Sequence, residues 1–127
     1  MNERDLMAKS RRALASARTL LADGDSDGAC NRAYYAMYDA ARAALLASKA
    51  PVPPDIAKTH SGLISAFSLH LVKPGLIALE LGKSFNKAED LRLIADYKGD
   101  SLEPDDARWA VTQAGEFVEV IETRFFA

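Results

Sequence analysis

Apolar positions along this chain recur every three to four residues, which is the helical period. No stretch shows the two-residue alternation of a half-buried strand. The last helix is the plainest, with Ala107, Ala110, Val111, Ala114, Phe117, Val118, Ile121 and Phe125 along one side. A first helix is predicted from about Asn2 to Ala22, its inner side carrying Leu6, Ser10, Ala13, Ala17 and Leu20 or Leu21. Asp23-Gly24 ends it, glycine being the usual residue just past a helix end. Asp25 or Ser26 caps a second helix that runs to about Ser48. Ala50-Pro51-Val52-Pro53-Pro54 reads as a stiff extended connector, and a shorter helix follows from about Asp55 to Leu71. Lys73-Pro74-Gly75 stops that helix and places Pro74 in the first turn of a fourth, which reaches about Tyr97. Lys98-Gly99-Asp100-Ser101 is a turn, and Glu103-Pro104-Asp105-Asp106 is an acidic start that suits the dipole of the fifth helix. The pattern predicts an all-α, up-and-down bundle of about five helices, one domain over residues 1–127.

Two helices break the simple pattern. The second has an apolar stripe of Cys30, Ala33, Tyr34, Met37, Ala41, Ala44 and Leu45. Its other side mixes Arg32, Tyr35, Asp39 and Arg42 with Ala36, Ala43 and Leu46. A helix apolar nearly all round is either central, here with an internal Arg–Asp pair, or shared with another subunit. In the fourth, the stripe Ile77, Leu81, Phe85, Ala88 continues into Arg92 and then Ala95. A guanidinium cannot shed its charge, so at an apolar position it needs a carboxylate or phosphate partner. Glu89 and Asp96 stand at helical spacing from it, which opens a structural clamp as well as a phosphate-facing role.

Composition narrows the chemistry. Hydrophobic residues make up 49% and charged residues 27%, with a net charge of −2, so indiscriminate nucleic-acid binding is not expected and neither is a DNA partner. The apolar runs are too short for a membrane helix, and the charged N-terminus has no apolar segment behind it. The single cysteine, Cys30, makes neither an internal disulfide nor a multi-cysteine zinc site, which fits a reducing cytoplasm. His60 and His70 stand at no metal-ligand spacing, so no metal and no cofactor is expected.

Four segments together resemble the HEPN family of small prokaryotic helical bundles, often encoded beside a minimal nucleotidyltransferase in toxin–antitoxin pairs. They are Asn31-Arg32-Ala33-Tyr34-Tyr35-Ala36-Met37-Tyr38-Asp39-Ala40-Ala41-Arg42-Ala43, Lys58-Thr59-His60-Ser61-Gly62-Leu63-Ile64-Ser65-Ala66-Phe67, Leu91-Arg92-Leu93-Ile94-Ala95-Asp96-Tyr97 and Ala114-Gly115-Glu116-Phe117-Val118. The resemblance implies a five-helix bundle, a homodimer, and a cleft between subunits lined by the fourth-helix motif. Active members of that family cleave RNA without metal, using an arginine followed four to six residues later by histidine. Arg92 matches the arginine, but Tyr97, Lys98 and Gly99 occupy the positions open to the histidine. Such a histidine would take a proton from a ribose 2′-hydroxyl while the arginine steadies the phosphate.

The missing base shifts the expectation from cleavage to binding. The chain is expected to be a binding module that partners a nucleotidyltransferase and contacts nucleotide or RNA phosphate through Arg92, with Arg32, Tyr35 and His60 nearby. The alternatives are a ribonuclease toxin using Arg92 with Asp96, Tyr97 or His60 as an unorthodox acid–base group, and a purely structural dimer. Tyr97 is also similar in position to a tyrosine that partner nucleotidyltransferases modify with AMP in some family pairs.

Overall fold

The computed structural model describes residues 1–97 and 102–127; the turn expected at 98–101 lies outside the described residues. It contains five α-helices and, among the described residues, no strand: α1 (Glu3–Ala22), α2 (Ser26–Ala47), α3 (His60–Phe67), α4 (Leu79–Tyr97) and α5 (Pro104–Phe125). None of the described helices is long and apolar enough to cross a membrane.

The helix ends follow local chemistry. Asn2 and Asp5 form a reciprocal capping box at the start of α1. Past its end, Gly24 takes a positive φ of 83°, which an alanine would enter only at a cost of about 1 kcal/mol. The Asp25 carboxylate accepts from the Gly28 amide at 2.8 Å and so caps α2. Glu103 and Asp106 cap α5, with Pro104 in its first turn.

The expected third helix is shorter at its start than the spacing suggested. Residues Ile56–Lys58 form one 3-10 turn, and Thr59 is extended, its hydroxyl accepting from the Gly62 amide at 3.0 Å. Pro53 and Pro54 rule out helix before them, and a threonine able to cap sets the true start at His60. After Phe67 the chain widens into a π-helical turn over Ser68–Val72, closed by Lys73 N–H donating to Ser68 at 2.8 Å. Pro74 does not open α4. It sits with Gly75, at φ 88°, in a turn whose Ile77 amide donates back to Leu71 at 2.9 Å. That return buries both Leu71 and Ile77 and delays the helix to Leu79.

α2 is the central helix, packed by α1 on one side and by α4 and α5 on others. Ala29, Ala33, Ala36, Ala40, Ala41, Ala43 and Ala44 are all completely buried along it. Side chains this small let neighbouring backbones approach, and Ser10 of α1 uses the closeness to donate to the Ala36 carbonyl at 2.6 Å. At the other end of the core, Phe67, Phe85 and Phe117 meet with ring centroids 5.2–5.6 Å apart, tying α3, α4 and α5 together.

Candidate functional site

Arg92 continues the buried stripe of α4 and is only 5% exposed. Its guanidinium donates to both oxygens of Glu89, at 2.9 Å from Nη2 and 3.3 Å from Nε, and from Nη1 to Asp96 at 3.2 Å. One flank of the fork is thus bidentate, the geometry that favours arginine over lysine. Burial alone would pull the arginine down; hydrogen bonding to Glu89 and its negative charge more than reverse this and hold the guanidinium protonated. The structure therefore places Arg92 within a carboxylate clamp.

The faces of that guanidinium meet aromatic rings from α2. Its central carbon lies 5.1 Å from the Tyr34 ring centre and 5.7 Å from that of Tyr35. Tyr34 is wholly buried and shares a 2.7 Å hydrogen bond with His60 Nδ1, donor and acceptor being set by the imidazole tautomer. Burial, followed by the hydrogen bond and charge of Glu89, pushes the Tyr34 phenol well above the ordinary tyrosine range, so it keeps its proton. His60 stands in the first turn of α3 with Tyr34, Tyr35 and Tyr38 around it, centroids 4.9–5.9 Å away. The Tyr38 hydroxyl donates to the Ala57 carbonyl at 2.8 Å, which fixes the 3-10 turn against α2.

The rim is polar. Asn31 donates to Asp96 at 3.3 Å and accepts from Arg32 Nε at 3.2 Å, while Arg32 lies over the outer Tyr35 ring at 5.1 Å. Arg32, Tyr35 and His60 are each partly exposed. The fold brings Arg92, Asp96, Arg32, Tyr35 and His60 to one seam between α2, α3 and α4. Tyr97, in the last turn of α4, is 74% exposed. Helical spacing pointed to both carboxylate partners of the arginine, Glu89 and Asp96, and the structure shows both engaged. It missed Tyr34 as the bridge between Arg92 and His60, which no local offset signals.

A helical bundle whose polar centre is an arginine clamped on one helix and faced by tyrosines of another defines a recognisable class. The model of the HEPN domain matches residues 3–124, and the chain belongs to this family. It is 34% identical over 120 residues to a UPF0332 protein of Gloeobacter violaceus, covering 93% of this chain and 91% of that one. A UPF0332 protein of Thermotoga maritima is 31% identical over 129 residues, covering 96% and 93%. A protein of Methanocaldococcus jannaschii named "Putative toxin" is 33% identical over 109 residues, covering 86% of this chain and 78% of its own length.

Proposed function

We propose that this chain is the HEPN module of a toxin–antitoxin-like pair and acts by binding. In this reading it is a homodimer, partners a minimal nucleotidyltransferase, and meets nucleotide or RNA phosphate at the α2–α4 seam. The observation that supports it is the state of Arg92. Of the five N–H donors a guanidinium carries, three are engaged by Glu89 and Asp96. Two carboxylates against one cation leave that cluster a net charge of −1, a poor first contact for phosphate. Arg32 is better placed to make it: it stacks on Tyr35 at the open rim, and its described side-chain hydrogen bond is to the neutral Asn31. Arg92 then serves by fixing the tyrosine that presents Arg32.

A ribonuclease is the second reading, favoured by one specific contact. His60, from α3, reaches Tyr34 beside Arg92 and so brings an imidazole to the neighbourhood from which the α4 histidine is missing. Asp96 is already engaged by Arg92 and Asn31, and Tyr97 points into solvent, so His60 is the better-placed acid–base group of the three.

One set of measurements separates the readings. RNA is incubated in EDTA with wild type, Arg32→Ala, His60→Ala and Arg92→Ala, while RNA and ATP binding are titrated in parallel. Binding without cleavage, weakened at least tenfold in Arg32→Ala, supports the module. Cleavage lost in His60→Ala and Arg92→Ala replaces it with the enzyme. Light scattering at micromolar concentration checks the dimer, and a monomer would sink that part. Failure of a co-expressed minimal nucleotidyltransferase to co-purify would remove the partnership.

A further inference from the structure

A concavity lies between α2 and α1, adjoining the seam through Arg32 and Tyr35, with a volume of about 500 Å³. That is within the range that holds small organic ligands. Four cations line it: Lys9 and Arg12 from α1, Arg32 and Arg42 from α2. The chain as a whole carries −2, so this clustering is a local reversal of sign rather than a reflection of composition. At the same wall stands Asp39, only 3% exposed, which among the described residues takes part in no hydrogen bond or ion pair. The cleft therefore has a net charge of +3, with one carboxylate at its base.

Its walls are preorganised. The Arg42 guanidinium lies 6.0 Å from the Tyr38 ring centre and that of Arg32 5.1 Å from Tyr35, so both are steered by rings that themselves line the cleft. Tyr38 is anchored through its hydroxyl to Ala57 and is itself largely buried, 8% exposed. Lys9 and Arg12 are one helical turn apart on the exposed side of α1 and free to adjust. The arrangement has the parts that a ribonucleotide requires: cations for phosphate, aromatic surface for a base, and a carboxylate able to accept from a ribose hydroxyl.

We propose that the α1–α2 cleft is a ribonucleotide-phosphate site in which Lys9, Arg12, Arg32 and Arg42 hold phosphate and Asp39 accepts a hydrogen bond from the ribose 2′-hydroxyl. The ligand is a ribonucleotide, either free or as part of a single-stranded RNA. This deepens the binding reading above and rests on it through the shared residues Arg32 and Tyr35. It adds a wall reached from α1, where Lys9, Arg12 and Asp39 stand outside the α4 clamp. An unpaired carboxylate among four cations is costly to keep for stability alone, because the burial of Asp39 disfavours its charge more than those cations favour it.

The test uses the full chain and three probes: ATP, hexa-adenylate RNA and hexa-deoxyadenylate DNA. Each is titrated by calorimetry or fluorescence anisotropy against wild type, Lys9→Glu/Arg12→Glu, Asp39→Asn and His60→Ala. Lys9 and Arg12 are exposed, so the double variant keeps the fold, which circular dichroism checks. The expected result is at least a tenfold loss of affinity in the double variant. For RNA, the slope of log affinity against log salt should shrink by about 0.7 for each phosphate contact removed. Wild type should prefer RNA over DNA, and Asp39→Asn should narrow that preference without abolishing binding. Binding of ATP alone identifies a free nucleotide as the ligand, and binding of RNA alone a strand. Affinity unchanged in Lys9→Glu/Arg12→Glu but lost in His60→Ala would overturn the cleft while leaving the α2–α4 seam standing. No binding of any probe would overturn both, and an equal preference for DNA would overturn the role given to Asp39.

Discussion

Replacing Arg92 by methionine is the most direct probe of the clamp. Methionine keeps most of the apolar stem but leaves Glu89, whose side chain is 15% exposed, without its bidentate partner, and Asp96, at 31%, without its single bond. Breaking a buried pair from one side costs about 3–5 kcal/mol, whereas an exposed helical pair is worth about 0.3–0.5 kcal/mol. Glu89 stands near the first limit and Asp96 near the second. Adding the contact with the Tyr34 ring, about 0.5–1 kcal/mol, gives an expected loss of about 4–6 kcal/mol. Against a typical total of about 5–15 kcal/mol this is a large fraction. Urea unfolding followed by circular dichroism should show the midpoint falling with the slope m unchanged. Adding Glu89→Gln should restore part of the loss, because the orphaned charge is then gone. A loss below about 1 kcal/mol, or no rescue by Glu89→Gln, would refute the clamp and return the arginine to the role of free phosphate ligand.

Three further outcomes are expected. Burial, followed by the charges of Asp106 and Asp27, pushes the Cys30 thiol up to about 12, so at pH 8 its thiolate is about a thousandfold scarcer than that of an ordinary cysteine. Alkylation by iodoacetamide should be slowed accordingly and recover in denaturant; fast labelling of the native protein would contradict its placement. Phe117→Ala should cost about 3–5 kcal/mol by opening a cavity among Phe67, Phe85 and the helices they join, read as a fall in melting temperature. Burial raises the Asp39 carboxyl, so the folded chain binds that proton more tightly than the unfolded chain. The stability it allows is fully present below an unfolded value of about 4 and is lost as pH rises through the raised folded value. Asp39→Asn should therefore raise the melting temperature near pH 7 by a few degrees and leave it little changed near pH 4; the same gain at both would contradict this account.

Helix content and the α4 arginine were legible because both are local. The stripe on α5 fixes a period, and a charged residue inside the α4 stripe must find a partner within a turn, as Glu89 and Asp96 show. The start of α3 was misplaced because aspartate at 55 offers a helix-start signal, yet the consecutive prolines and the stronger cap at Thr59 decide the matter. Pro74 was read as a helix opener, but the burial of Leu71 and Ile77 requires a reversal before α4 can begin. Spacing left the role of α2 open between a central helix with an internal Arg–Asp pair and one shared between subunits; within the chain it packs at the centre, and among the described residues Asp39 forms no ion pair with an arginine. The link from Arg92 through Tyr34 to His60 spans three helices, and the meeting of Lys9 and Arg12 with Asp39 depends on how α1 lies against α2. Neither is encoded at any fixed sequence offset.

The crowding of alanines along α2 also constrains how relatives of this chain can diverge. A helix surrounded at backbone distance has almost no room for larger side chains, so substitutions there are filtered out before their effect on ligand choice is ever felt. The outward side of α1 carries no such burden. Exchanging Lys9 or Arg12 alters one wall of the cleft and leaves the packed interior untouched. In the proposed cleft, single changes on α1 are therefore the ones that packing tolerates most easily, whereas the wall built by α2 stands on a helix with little room to shift.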